Sequence, residues 1–416
     1  MFFKVKSSED VFEILRGFDP VPTENIFIGD SLNRVLGEDI TAGEDMPAFS
    51  RSSVDGYAVR AKDTFGASDS LPVLLELTGE VVMGNASEDV VRPGTAVRIP
   101  TGGMIPEGAD AVVMIEYCHG MDEQTIEVSR SVAPLENIIS RGDDFHQGSV
   151  LFKRGTVLRP QDIGLLAGQG MKNVSVYQRP KVGIISTGDE VVPMDHKPGP
   201  GQIRDINSYT LNAFCIQSGA IPVNMGLCKD DFDAMRQVVS DALHTCDTVW
   251  ISGGSSVGTR DLTLNVFESF SDARILVHGI AISPGKPTII AQAGRKSLFG
   301  LPGHVASAMV VAEVFLVPFL AWLSGEPKEV DDHHFYLHAT LERNIESAGG
   351  RDDYIRVKLK KRGDQMFAEP IFGKSGLIST LVEAQGLVKI DKNIEGLYRG
   401  QKVRVMLLRP YKAGEI

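Results

Sequence analysis

Between Pro180 and Leu323 short apolar runs alternate with longer amphipathic segments, and this alternation constrains the architecture more than any other feature of the chain. KVGIIST, IPVNMGLC, DTVWISGG, GIAISPGKPTII and KSLFGL read as strands. NSYTLNAFCIQSG, DDFDAMRQVVSDAL, DLTLNVFESF and GHVASAMVVAEVFLVPFLAWL read as helices, the first started by Asn207 or Ser208 and stopped by Gly219. Strands separated by helices of that length predict a three-layer α/β domain over 179–326, its mostly parallel sheet covered on both faces.

The flanking texture differs. Residues 8–17 have helical spacing with Ser8 as N-cap, and 29–37 read as a second short helix with Asp30 as cap and Gly37 as stop. From 46 to 142 short β-rich runs such as VLLELTGEVV, TAVRI, DAVVMIE and QTIEVS are separated by Gly and Pro clusters, which predicts a β-rich domain. Residues 149–176 return to a strand, a turn and a helix over 161–169. Segments 1–45 and 143–178 are therefore expected to form one small α/β linking domain, interrupted by the β-rich insertion. Residues 327–416 hold short strands without a long helix and predict a C-terminal β-barrel. The expected chain is multidomain, α/β plus β.

Composition enters where partners are concerned. Forty-two basic against 54 acidic residues leave a net charge of −12, which repels nucleic acid and anionic membranes. The apolar stretch 305–323 contains Glu313 and Pro318 and reads as a buried helix rather than a membrane span. MFFKVKSSED becomes charged too early for a signal peptide. Cys118, Cys215, Cys228 and Cys246 show neither CxxC nor zinc spacing and read as buried thiols of a cytoplasmic protein.

In open α/β sheets ligands bind at the carboxyl ends of strands. Here those ends read Ser186-Thr187-Gly188-Asp189-Glu190, Ser252-Gly253-Gly254-Ser255-Ser256-Val257-Gly258, Ser283-Pro284-Gly285-Lys286-Pro287 and Gly300-Leu301-Pro302-Gly303-His304. Glycines let backbone N–H groups converge on an anion, and hydroxyls add donors. SGGSSVG is neither GxGxxG nor a Walker loop, and by itself it serves equally well as a tight turn. Four such loops at four strand ends point to an anionic ligand. The stiff loop around Lys286 presents an ammonium suited to phosphate, and GLPGH places amides at a helix N-terminus. Asp189, Glu190, Asp205, Asp230 and Asp261 fall near the same ends, where a cation such as Mg²⁺ would reconcile them with a phosphate. Asp230 and Asp261 serve equally as helix caps, and Asp55 before Gly56 reads locally as a turn residue.

SSVDGYAV, RIPTGGMIPEGADAVVMIE, SRGDDF, IISTGDE, GQIRDIN, SGGSSVG, PGKP and GLPG occur in this order, followed by GKSGLIST near the C-terminus. Together they closely resemble the molybdopterin molybdenumtransferase (MoeA) family, related to the E domain of gephyrin, over almost the whole chain. The resemblance implies molybdenum cofactor biosynthesis: adenylylated molybdopterin and molybdate, or tungstate, give the cofactor and AMP with a divalent cation such as Mg²⁺. It implies a homodimer in which the α/β domain of one subunit faces the β domain of the other. Molybdopterin adenylyltransferase and apo-molybdoenzymes or their chaperones are the partners it suggests. Carried over residue by residue, it gives Asp55, Thr101, Glu190 and Lys286 catalytic roles, with Glu190 and Asp55 on the cation. Ser186, Thr187, Gly188, Asp205, Asp230, Gly253, Gly254, Ser256, Gly258, Asp261, Ser283, Pro302, Gly303, His304 and Ser375 would bind the pterin nucleotide.

The family pattern is broken at several of these places. Ser283 stands where KPGKP has its first lysine, and Leu264 where a lysine often follows the loop aspartate. Thr259-Arg260 replaces an acidic residue, and His304-Val305 replaces Asn-Pro. Each lost lysine, if it contacts the ligand, is worth about 1–3 kcal/mol. Arg260 and His304 are candidates to compensate. The alternatives are a pocket for another oxyanion, such as tungstate, or a pterin-binding scaffold without turnover.

Overall fold

A computed structural model describes residues 5–253, 257–328 and 334–408. Its contacts divide the chain into two compact units. One comprises 38–154 and 160–173; the other comprises 1–37, 155–159 and 174–416.

The first unit is built on a six-stranded sheet in the order Ala111–Met114, Gly56–Val59, Thr95–Ile99, Val73–Glu80, Thr125–Val128, Cys118–Gly120. Alternate residues such as Leu75, Ile126 and Val113 are buried, the period-2 signature of strands with one face in a core. The helix Pro160–Gly168 also belongs here.

In the second unit the sequence from Pro180 folds as β1 (Lys181–Thr187), α1 (Asn207–Gln217), β2 (Ile221–Cys228), α2 (Phe232–Thr245), β3 (Thr248–Gly253), α3 (Val257–Glu268), β4 (Ala273–His278), β5 (Ile289–Ala293), β6 (Lys296–Leu301) and α4 (Val305–Leu323). The sheet order is β2-β1-β3-β6-β5-β4. Four neighbouring strands are parallel; β5 runs opposite to them, and the edge strand β4, antiparallel to β5, returns to their direction. Successive residues serve opposite layers. Ile184, Trp250 and Phe299 pack under α1, α4 and the N-terminal helix, while Ile185, Val249, Ile251 and Leu298 pack under α2 and α3. Residues buried on both faces explain why these strands read as continuous apolar runs.

Several local expectations change. Ser7, not Ser8, caps the helix Ser8–Arg16, in a reciprocal capping box with Asp10. Ser8 is buried and donates to Asp352 at 2.7 Å. No helix forms over 29–37: a single 3₁₀ turn, Ile28–Asp30, is followed by Asn33 at φ 59°. Val35 and Leu36 then make antiparallel bridges to Val157 and Val176, so long-range pairing overrides the local pattern. GIAISPGKPTII is not one strand. Ile282–Ser283 pairs instead with the C-terminal domain, and β5 begins only at Ile289. ARILVH, to which the sequence reading gave no structure, is the edge strand β4.

Helix α4 passes the length and apolarity criteria of a membrane span, but 78% of its most apolar window is buried in the protein. It is a core helix, interrupted by a π-helical turn over Ala312–Leu316. Burial in that turn pushes the Glu313 carboxyl up from 4.5 to about 7. The folded state therefore holds this proton more tightly than the unfolded chain, and its contribution is present below about pH 4.5 and lost as pH rises through about 7. Glu313→Gln is expected to remove this loss, gaining on the order of 2 kcal/mol on the native protein between pH 5 and 8 in urea unfolding.

The C-terminal strands β7 (Tyr336–Leu341), β8 (Asp352–Arg362), β9 (Gln365–Pro370), β10 (Gly386–Ile390) and β11 (Lys402–Leu407) close on themselves through the β8–β10 pairing. Closure removes the exposed strand edges and gives the expected barrel. All four cysteines are free and buried, and burial pushes the Cys118 and Cys215 thiols up to about 12.

Candidate active site

Two adjoining cavities open at the carboxyl ends of the parallel strands. The first, about 210 Å³, lies where the strand order reverses between β1 and β3. Ser186, Thr187, Glu190, Asp205, Gly253 and His304 are among its lining residues. The second, about 310 Å³, is lined by Ser283, Lys286, Pro302, His304, Arg351 and Ser375, among others. Gly253, Gly303 and His304 belong to both, so one elongated ligand can occupy the pair.

Backbone approach shapes the first cavity. Thr187 and Gly253 are paired in register at the ends of β1 and β3. A Cβ on Gly253 would lie 2.0 Å from the Thr187 hydroxyl and 2.4 Å from its carbonyl oxygen, so only glycine fits. Asp205 is occupied by structure. Its Oδ1 accepts from the Ser186 hydroxyl and the Ser208 amide, each at 3.1 Å, and its Oδ2 accepts from the Ser208 hydroxyl. It thus caps the first turn of α1, a role the sequence reading gave to Asn207 or Ser208.

Asp231, the second of the Asp230–Asp231 pair, caps α2 by accepting from the Ala234 amide at 2.9 Å. Asp230 is left over, and its buried Oδ1 has no hydrogen-bond partner among the described residues. Burial, then the charges of Asp189 and Glu190, hold its carboxyl above the ordinary carboxylate range. A hard cation would satisfy the orphan oxygen and relieve that repulsion. Even so, among the described residues no three His, Cys, Asp or Glu side chains converge as a finished ligand set.

The second cavity is assembled from distant segments. Ser283 pairs with Asp353 of β8, which ties the SPGKP loop to the barrel. Because β5 runs antiparallel, this loop precedes its strand, yet it still lies at the carboxyl edge of the parallel strands. A Cβ on Gly285 (φ 122°) would lie 2.6 Å from Val311, so the loop sits close on α4 with Lys286 exposed. His304 Nδ1 and the Ser375 hydroxyl are 2.8 Å apart, and the Ala306 amide donates to the Ser375 carbonyl at 3.1 Å. Arg356, buried and without a carboxylate partner among the described residues, donates to Thr380 and to the Gly373 carbonyl, holding the GKSG turn in place.

Arg351 was missed by sequence reasoning. It lies 3.0 Å from Asp353, which is only 4% exposed, and brings a guanidinium to the wall that Ser283 leaves uncharged. The only sequence signal was a basic residue preceding the buried pair Asp352–Asp353. Gly254 and Ser256 lie outside the described residues, as do the side chains of Gly258, Thr259, Arg260 and Asp261 on the first turns of α3.

Asp55 and Thr101 belong to the other unit. The Thr101 amide (2.7 Å) and hydroxyl (2.9 Å) both donate to Asp55 Oδ1. These two bonds, the amide first, hold the carboxyl below its ordinary range. Backbone bonds zip the two loops together: the Gly102 amide donates to the Ser52 carbonyl at 2.8 Å, and the Ser52 amide donates to the Gly103 carbonyl at 2.9 Å. Asp55 is thus an ionised, exposed carboxylate on a stiff platform rather than a bare turn residue.

Family profiles match consecutive parts of the chain: the MoeA N-terminal region (domain I and II) at 6–170, a probable molybdopterin binding domain at 183–322 and the MoeA C-terminal region (domain IV) at 338–408. The chain is 35% identical to the molybdopterin molybdenumtransferase of Bacillus subtilis, over 94% of this chain and 91% of that one. It is also 35% identical to a putative molybdopterin biosynthesis protein of Methanocaldococcus jannaschii, over 97% and 98%. The chain belongs to the molybdopterin molybdenumtransferase family. A crystal structure of the molybdopterin biosynthesis MoeA protein of Pyrococcus horikoshii superposes with a TM-score of 0.84 at 35% identity, covering 98% of this chain and all of that one.

Within the family frame the departures divide into two kinds. Leu264 is 9% exposed in the core with Met235 and Phe267 and lines neither cavity. Ser283 and His304 do line the cavity, so those substitutions change its chemistry.

Proposed function

We propose that this chain inserts molybdate, or tungstate, into the dithiolene of adenylylated molybdopterin and releases AMP. The observation that carries this reading is the pair of joined cavities, one beside carboxylates and the other beside Lys286 and Arg351. A dinucleotide-like anion with its phosphates near Gly253, Gly303 and His304 matches that division. Lys286, Arg351 and backbone amides would hold the phosphates, while Ser375 orients the His304 ring. Glu190 and Asp230 are the residues of this unit fit to hold Mg²⁺, which when bound would polarise the phosphoanhydride. Purified protein mixed with adenylylated molybdopterin, Mg²⁺ and either oxyanion should release AMP only when the oxyanion is present. Failure with both oxyanions would overturn the proposal.

A homodimer placing Asp55 and Thr101 of one copy against the α/β domain of the other is part of the same proposal. Asp55→Asn and Lys286→Ala are each expected to keep no more than about 1% of the activity alone. Mixed after co-refolding, they should recover about a quarter of wild-type activity, since half the dimers then hold one intact site. No recovery would place both residues in the same copy's site or outside it.

Tight pterin binding without AMP release is the second reading, favoured by Ser283 in place of a lysine. Ser283→Lys would then raise turnover. We further propose a cytoplasmic setting, with molybdopterin adenylyltransferase supplying the substrate and apo-molybdoenzymes or their chaperones receiving the product.

A further inference from the structure

A third cavity, about 220 Å³, lies on the far side of α4 from the site just described, between that helix, α1 and the barrel. Of its nine lining residues only Thr210 and Glu313 are polar; Met309, Val310, Ile378, Leu381 and Leu387 supply much of the rest. Glu313 stands in the π-turn of α4, where a widened helix presents a side chain that an ordinary turn would not. Its backbone carbonyl accepts from the His334 ring at 2.8 Å, and its half-buried carboxyl, at the edge of the cavity, makes no ion pair or hydrogen bond among the described residues. Burial alone pushes that carboxyl up to about 7. A carboxyl held against an apolar wall without a partner is costly, and leucine would serve packing better.

The mouth is apolar as well. Val382 is 79% exposed and Ile378 38%, so the opening is greasy where a purely structural void would be sealed. We propose that this cavity is a binding site for a small apolar amine, its hydrocarbon body among Met309, Leu381 and Leu387 and its ammonium on the Glu313 carboxylate. The volume suits the chemistry: a cavity of about 150 Å³ accepts benzene, so about 220 Å³ accommodates an aryl ring with a short aminoalkyl arm. A carboxylate at the edge of an apolar pocket selects a cation over a neutral or anionic analogue of equal shape.

The walls give the site a route to the active centre. Helix α4 starts directly after His304, and the turn carrying Ile378 and Leu381 follows Ser375, the residue bonded to His304. An occupant therefore sits between the two elements whose contact closes the catalytic cavity.

Calorimetric titration of the full chain with phenethylamine, phenethyl alcohol and phenylacetate tests the proposal without any turnover assay. Phenethylamine should bind at least about tenfold more tightly than the alcohol, and phenylacetate should not bind. Glu313→Gln should erase the preference for the amine, and Leu381→Trp, which fills the cavity, should abolish binding of both. Absence of amine binding, equal binding to the Glu313→Gln protein, or binding that survives in a folded Leu381→Trp protein would each overturn it.

Discussion

Gly253→Ala is expected to abolish AMP release and to destabilise the second unit by about 3 kcal/mol or more. The new methyl would fall 2.0 Å from Thr187 Oγ1 and 2.4 Å from Thr187 O. Neither atom can retreat easily. Thr187 and Gly253 are opposed in the parallel β1–β3 ladder, and Ser252 is paired on its other side with Leu301 of β6. Relief would require parting β1 from β3 at the point where the first cavity is formed. The matched control is Gly349→Ala, where an added Cβ meets nothing within 4 Å and stability should stay within about 0.5 kcal/mol. Urea unfolding of both variants checks the difference. Equal midpoints would mean that the strand ends yield far more readily than their pairing implies.

Lys286→Ala is expected to leave folding unchanged and to lower kcat/KM for AMP release roughly 100- to 1,000-fold, a loss of about 3–4 kcal/mol in transition-state stabilisation. The side chain is exposed, so its removal opens no core cavity. Its loop is fixed independently: the Ile280 amide donates to the Lys286 carbonyl at 2.9 Å, and the Thr288 hydroxyl donates to the Gly285 carbonyl at 2.7 Å. The substitution therefore removes a charge from a standing wall. With Ser283 already uncharged, Lys286 and Arg351 are the cations lining this cavity among the described residues, which is why a large effect is expected. Lys286→Arg should retain part of the activity through its charge. A loss confined to KM would assign Lys286 to ground-state binding rather than to the reacting phosphate.

Much of this was legible in the sequence because it depends on local periodicity. The alternation after Pro180 gave a layered α/β unit, since strands buried on both faces must be apolar throughout and their helices must cover them. The glycine-rich strand ends placed the candidate site for the same reason: backbone can approach backbone or ligand only where no Cβ intervenes, as Gly253 and Gly285 demonstrate. The string of motifs identified the family.

Tertiary structure decided what depends on residues far apart in the chain. Strand order put β5 antiparallel beside β6, which explains how the SPGKP loop reaches the cavity from the opposite end of its strand. Pairing of Ser283 with Asp353 brought in Arg351, for which the sequence held no more than an ordinary basic residue. Leu264 turned out to face the core and Asp205 to cap a helix, because the same residue types serve packing and capping as readily as ligand binding. Glu313, read from sequence only as a mark against a membrane span, lies in a π-turn beside a cavity that α4 shares with the C-terminal segments. A sequence fixes which face of each element is apolar, but contacts made across hundreds of residues determine which side chains those faces finally meet.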